Sequence, residues 1–395
     1  MNAITRKNSI ALAILFALRM FGLFIILPVF TLHAQKIPGG ADLFWVGFAL
    51  GAFGLTQVFC QIPYGIASDI FGRKPLILLG LFLFASGSLL GFFSQDLFTL
   101  TLARALQGAG AFSGVITALA TDIIPDSDIT KTMAMIGSTI ALMFALSLVF
   151  SPIFYGYFSL NGIFLLVFCL TLPALWILYQ LPENPAAFKQ KSTVNAQKIS
   201  KFAMLKSVFF NGDLALLNIG IFLLSIIQTA FFIVVPARLI LENLAAFEHW
   251  KAYLPAIFTA FLVMVPFIIF AEKKNKMAFV FRLNIAFILL TALGLYFSPL
   301  SLPLSIFWLF LFFVAFNVLE ATLPSLVARR SPSHLKGSAM GIYNTAQSAG
   351  MFVGGGFGGL LAKYAGHHAI LIGSFLIGII WLWLTKNQNF APKKS

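Results

Sequence analysis

Charge is what this sequence has least of. Only 10% of its 395 residues are Asp, Glu, Lys or Arg, against about a quarter in soluble domains, and 60% are hydrophobic. So little polar material excludes a soluble globular chain and marks an integral membrane protein. Cysteine is almost absent. Cys60 and Cys169 both fall inside apolar runs, which leaves no disulfide framework or metal-ligand spacing and assigns them to packing. None of His33, His249, His334, His367 and His368 lies deep in an apolar run, so a histidine proton relay is not expected. The apolar runs also hold no paired carboxylates, no metal-ligand cluster and no nucleophile with a base, so neither an enzyme nor a cofactor or metal is expected. The net charge of +14 would suit nucleic acid, but the basic residues form no single patch and recur between apolar runs, as membrane topology requires.

Hydropathy predicts twelve spans, each near the ~20 residues an α-helix needs to cross a bilayer. They cover about 8–32, 44–64, 75–94, 97–121, 132–155, 160–181, 212–236, 252–271, 277–297, 301–324, 338–362 and 367–385. Arg6 and Lys7 before the first run imitate a signal peptide, but the run continues to Leu32 with Arg19 inside it and no small-x-small cleavage pattern, so it is read as a retained span. Nineteen of the 26 Lys and Arg residues fall on one side of this topology, four on the other (Lys36, Arg238, Lys251, Lys363) and three inside spans (Arg19, Arg104, Arg282). The crowded side is predicted to be cytoplasmic, with both termini on it.

A polar, basic stretch, ENPAAFKQKSTVNAQKISK, divides the spans six and six. It predicts an N-terminal six-helix bundle over 1–181, a cytoplasmic linker over 182–211 with a short surface helix near Lys198 to Leu205, and a C-terminal six-helix bundle with a basic tail over 212–395. A faint repeat at a spacing of 205 relates the halves: Lys131, Ala134 and Met135 match Lys336, Ala339 and Met340. The 46 Phe suit lipid-facing helices.

The turn YGIASDIFGRKPL, Tyr64 to Leu76, is a short charged reversal between two spans. Gly65 is expected to end the first helix, Gly72 to take a positive φ, and Pro75 to sit in the first turn of the next. Asp69, Arg73 and Lys74 then form an ion cluster at a membrane surface. Asp122, at the end of the fourth span on the same face, is either a third member or a simple helix terminator. The counterpart turn in the second half, AEKKNKM at 271–277, keeps charge without the glycines.

Inside the spans, Arg104 opens RALQGAG, and Arg19 sits mid-span. An arginine at such depth costs roughly 2.5–3.5 kcal/mol on insertion scales and needs partners, whether carbonyls, water, Gln107 or a bound anion. Glu320, in FNVLEATLP, is the one carboxylate placed inside a span, where burial favours the neutral form. It is the candidate proton site; pairing with Arg329 or Arg330 is the competing reading. Gln57, Gln61, Gln107, Gln228, Asn317, Asn344 and Gln347, with Arg19, are candidates to line a mildly polar cavity, though each alone is more often interhelical glue. The eleventh span, GSAMGIYNTAQSAGMFVGGGFGG, has glycines that allow close helix approach.

The turn carries every fixed position of G-x-x-x-D-x-x-G-R-K, here Gly65, Asp69, Gly72, Arg73 and Lys74, and so resembles the loop signature of the major facilitator superfamily. Arg104, Gln107 and Gly108 resemble its R-x-x-Q-G motif. Through SDIFGRKPLI, RALQGAGA and GSAMGIYNTAQSAG the chain looks most like bacterial inner-membrane efflux transporters of the YajR type, in the drug/proton antiporter branch, without the C-terminal soluble domain that some members carry. Of the antiporter Gly-Pro signature in the fifth span, only Ser151, Pro152 and Gly156 echo the pattern.

The resemblance implies an all-α integral membrane protein of twelve transmembrane helices in two six-helix bundles. It implies proton coupling through Arg104 and a conformational switch at Gly65, Asp69, Gly72, Arg73 and Lys74, with Asp122 as the acidic partner. The expected activity is proton-coupled efflux of hydrophobic or amphipathic small molecules by a monomer in the bacterial inner membrane. The expected partners are substrate, protons and the lipid bilayer, with no nucleic acid. Arg19 and Arg104 motivate an alternative, uptake or exchange of an organic anion. A receptor without transport is disfavoured because no sizeable output domain follows the spans.

Overall fold

The computed structural model describes residues 2–182, 212–331, 336–386 and 388. The expected linker with its surface helix (apart from Pro182), the basic tail (apart from Gln388) and His334 therefore lie outside the described residues. In hydrocarbon a backbone N–H or C=O has no water to bond, so each apolar run closes its hydrogen bonds within a helix. Nine described helical segments are long and apolar enough to span. Two of them, Asp126–Gln180 and Lys336–Thr385, are each two spans that reverse at a single residue, Ser159 (φ 57°) and Gly366 (φ 76°). Leu97–Ala109 and Ser113–Ile123 are two pieces of the fourth span, which completes twelve. The reversals occupy the same place in each half, and the repeat faintly visible in sequence is thus a structural one. Ser159 holds a left-handed φ that costs a non-glycine residue energy.

The first span is Ala3–Phe24 continued by Leu27–Ala34, the second Leu43–Phe71, the third Arg73–Phe92. In the second half, Gly212–Leu241, Trp250–Lys273, Met277–Phe297 and Leu302–Arg330 are the seventh to tenth. Carboxylates cap two of these helices: Asp42 accepts from the Phe44 N–H and Asp96 from the Thr99 N–H.

One local expectation fails. Gly65 does not end the second helix, which runs through Pro63 and Gly65 to Phe71 and reverses only at Gly72 (φ 97°). A lone glycine inside a helix costs about 1 kcal/mol relative to alanine, too little to stop it. At 1.5 Å per residue, 29 residues reach about 44 Å, so the last turns, with Asp69, project beyond a hydrocarbon core of ~30 Å.

The two six-helix bundles meet along the second and eleventh spans. A Cβ on Gly47 would fall 2.2 Å from the Gly355 carbonyl oxygen, and one on Gly54 would fall 2.4 Å from that of Ser348. Only glycine permits this approach. Further junctions lie on the Asp42 side of the midplane: the Thr31 hydroxyl donates to the Phe232 carbonyl at 3.2 Å, Gly156 faces Phe247, and the Lys363 ammonium donates to Asp42 at 2.6 Å. A chain of rings, Phe24, Phe144, Phe316, Phe312 and Phe231, crosses from one bundle to the other. Toward the Asp69 face, by contrast, a Cβ on Gly65, Gly137 or Gly341 would have nothing within 4 Å.

Candidate functional site

The charged turn is built as a cross-span clamp. Arg73 opens the third span. Its Nη1 donates to Asp69 Oδ1 at 2.7 Å and to the Ser68 hydroxyl at 2.6 Å, and its Nε donates to Asp122 Oδ2 at 3.0 Å. The ends of the second, third and fourth spans are thereby joined. The side chains of Arg73 and Asp122 are each 13% exposed and that of Asp69 36%, so the inner pair is the less screened. Lys74 turns away from this cluster and donates to the Tyr179 carbonyl at the end of the sixth span, at 3.4 Å. Ser68 was not legible as a member, since a lone serine near a helix end carries no distinctive signal.

The second half has a smaller clamp, in which the eighth span carries an acid as the second does and the tenth carries a base where the fourth carries Asp122. Arg329, at the end of the tenth span, donates to Glu272, at the end of the eighth, at 2.8 Å. Both are about half exposed, which makes this pair worth at most about 1 kcal/mol. The pair also engages Arg329, one of the two rival partners, with Arg330, considered for Glu320.

Glu320 lies ten residues before the end of its helix, about 15 Å along the axis from the Asp69 face. Its carboxylate accepts from Gln347 Nε2, on the eleventh span, at 2.9 Å, and retains partial exposure. Tyr343, one turn earlier on the eleventh span, is buried, and its hydroxyl has no hydrogen-bond partner. Nothing in the sequence distinguished Tyr343 from the other tyrosines.

Arg104 is fully buried. Its Nη1 donates to Gln107 Oε1 at 2.8 Å, Gln107 Nε2 donates to the Ser88 hydroxyl at 2.8 Å, and the guanidinium stands 4.9 Å from the centre of the Phe53 ring. Gln107 is therefore engaged inside the N-terminal bundle. Arg19, also buried, lies 5.0 Å from the Phe112 ring. On both arginines Nε and Nη2 lack a hydrogen-bond partner. Ring faces attract such cations but offer no lone pair.

Gln57 and Gln61 in the second span, Gln228 in the seventh and Asn317 in the tenth are buried. Gln61 Oε1, Gln228 Nε2 and Asn317 Nδ2 have no partner. Asn344 accepts the Ser348 hydroxyl at its backbone carbonyl. Among the described residues, hydrogen bonds within this candidate set join only Arg104 to Gln107 and Glu320 to Gln347.

Two six-span bundles, meeting mid-membrane and each tied at one face by a charged clamp, define a membrane transporter. Comparison with known proteins gives the family. The Major Facilitator Superfamily profile matches residues 12–355, and the chain belongs to that superfamily. It is similar to the inner membrane transport protein YajR of Escherichia coli, with 34% identity over 99% of this chain and 85% of the relative. It is also similar to an uncharacterized transporter of Buchnera aphidicola (subspecies Acyrthosiphon pisum), with 32% identity over 90% of each. The crystal structure of a D-xylose–proton symporter superposes with a TM-score of 0.78 over 98% of this chain and 99% of the other, at 15% identity, which speaks to the fold.

Proposed function

We propose that the chain is a proton-coupled secondary transporter that exports hydrophobic or amphipathic small molecules by rocking its two bundles about a midplane site. The observation that carries this reading is the Glu320–Gln347 hydrogen bond. It is a mid-membrane carboxylate, partly exposed, on one span and bonded to another, so its protonation changes the relative stability of two helix arrangements. Arg104 is the second proton-coupling group. Arg19, Gln57, Gln61, Gln107, Gln228, Asn317, Asn344 and Gln347 supply the polar groups of the cavity.

The bundles divide at the 182–211 linker. With the Asp69 face read as cytoplasmic from its share of Lys and Arg, both termini are cytoplasmic and the tight seam on the Asp42 side makes this the inward-facing state. The switch formed by Gly65, Asp69, Gly72, Arg73, Lys74 and Asp122 favours that state. The protein works as a monomer in a bacterial inner membrane.

The test uses the purified chain in liposomes with an internal pH-sensitive dye and a panel of lipophilic cations and organic anions. Substrate-driven proton movement, lost in Glu320→Gln, is the expected result. Substrate flux without proton movement would overturn the coupling. A second reading, exchange of an organic anion, is favoured by the unpartnered guanidinium nitrogens of Arg19 and Arg104. It predicts anion binding that disappears in Arg19→Gln.

A further inference from the structure

The third and sixth spans touch at both ends and part between them. Toward the Asp42 face, Asn161 Nδ2 donates to the carbonyls of Phe92 and Ser94, each at 2.8 Å, and Phe164 fills the space beside Gly91. Toward the Asp69 face, Lys74 reaches the Tyr179 carbonyl. Between these contacts lies a groove of about 590 Å³, open toward the bilayer, with Leu78, Phe82, Leu89, Phe168, Leu172 and Leu175 among its walls. Ala85 leaves it deep.

Lys74 shares a helix face with Leu78, Phe82, Ala85 and Leu89, through steps of three and four residues, so it stands at the end of this groove. Tyr179 continues the facing stripe of Phe168, Leu172 and Leu175 in the same way. Trp176 (65% exposed) and Tyr179 (85% exposed) stand at the same end, where amphipathic rings favour headgroup depth. Lys74 has three ammonium hydrogens, and its bond to the Tyr179 carbonyl is long.

We propose that this groove binds one anionic glycerophospholipid from the Asp69-side leaflet, with an acyl chain between the third and sixth spans and its phosphate on Lys74. The pairing of an apolar slot with a cation at its membrane-surface end selects a lipid with a negative head over a zwitterionic one. Both walls belong to the same bundle, so the lipid fastens that bundle rather than the seam between bundles.

The experiment takes the full chain, delipidates it in detergent, and offers phosphatidylglycerol or phosphatidylcholine of matched chains. Native mass spectrometry counts retained lipid, and thermal unfolding reads its effect. Phosphatidylglycerol should be retained about fivefold better, the value of one basic side chain at an anionic surface. Lys74→Gln should lose the preference and Lys74→Arg keep it. Ala85→Leu, which fills the groove, should lose both lipids. Equal retention of the two lipids by the wild type would overturn the proposal, as would phosphatidylglycerol retention undiminished in Ala85→Leu. Stabilisation by inorganic phosphate equal to that by phosphatidylglycerol would also overturn it, revealing a simple anion site. Transport is not measured, so the outcome stands apart from the proposed coupling.

Discussion

Arg73 and Asp122 are 49 positions apart in sequence, and Arg73 Nε donates to Asp122 Oδ2 at 3.0 Å. The same guanidinium holds Asp69 through its other edge. One cation therefore separates two carboxylates at the meeting point of three helix ends, and the three members are not energetically equal. Removing Arg73 leaves like charges facing one another, while removing either acid leaves the other pair intact.

Unfolding midpoints in detergent should accordingly rank Arg73→Ala below Asp122→Asn, and Asp122→Asn below Asp69→Asn. Each charge-assisted hydrogen bond is worth about 1.5–3 kcal/mol when shielded. The 36% exposure of Asp69 places its loss at or below the lower end. An Asp69→Asn midpoint as low as that of Arg73→Ala would contradict this ranking.

Two glycines of the second span, Gly47 in the seam and Gly65 in the charged-turn motif, should respond oppositely to alanine. Gly47→Ala would place its methyl carbon 2.2 Å from the Gly355 oxygen, and so should cost about 1–3 kcal/mol or drive the bundles apart. Gly65→Ala meets nothing within 4 Å, and alanine is the better helix former, so it should leave stability unchanged or raise it by up to ~1 kcal/mol. Thermal unfolding separates the two. If Gly65→Ala nonetheless abolishes transport, the glycine is needed in the opposite conformation.

Acid should loosen the Asp42 face. The hydrogen bond from Lys363, helped by the Phe44 N–H, holds the Asp42 carboxyl below its usual range. A depressed carboxyl contributes its stabilisation above the unfolded value of about 3.9 and loses it as pH falls through the lower folded value. Spin labels beside residues 42 and 363 should report constant separation from neutrality down to about pH 4 and widening below it. Asp42→Asn should show the wider spacing at every pH.

Arg238 should prove the least replaceable residue on the Asp42 side of the second bundle. It donates to Glu242 Oε1 at 2.9 Å, to Ser305, and to the carbonyls of Leu295, Ser298 and Pro299, so it binds the seventh span to the turn between the ninth and tenth. The Glu242 side chain is 1% exposed, and Arg238→Ala would leave its charge buried at a cost of about 3–5 kcal/mol. Asn161→Ala, at the corresponding turn of the first bundle, removes only neutral hydrogen bonds and should cost about 1–3 kcal/mol. Expression level and unfolding midpoint would both register the difference.

Much of this was legible because lipid imposes one solution on an apolar run. The ninth span begins and ends where hydropathy put it, at Met277 and Phe297. The Asp69, Arg73 and Asp122 cluster followed from topology together with the loop signature. Gly65 misled because it was read as a helix stop, whereas the bilayer surface and Gly72 set the boundary. The phenylalanines were assigned to lipid as a group. Composition cannot reveal that Phe144 meets Phe316 across the two bundles, since which face of a helix turns inward depends on packing partners far away in sequence. Arg238 was counted among loop charges, although its spacing of four from Glu242, just past the end of its helix, was there to be read.

The glycine seam along Gly47, Gly51 and Gly54 also has an electrical meaning. An electric field falls across the part of a membrane protein that conducts least, and a seam packed to carbonyl contact is such a part. On the proposed proton-coupled reading, most of the membrane potential would therefore drop between the seam and the Asp42 face in this conformation, and a proton reaching Glu320 from the Asp69 side would cross little of it. If the bundles exchange their open and closed ends as proposed, the voltage drop moves to the other side of Glu320. The conformational exchange would then carry the proton's charge through most of the field, at about 2.3 kcal/mol per 100 mV.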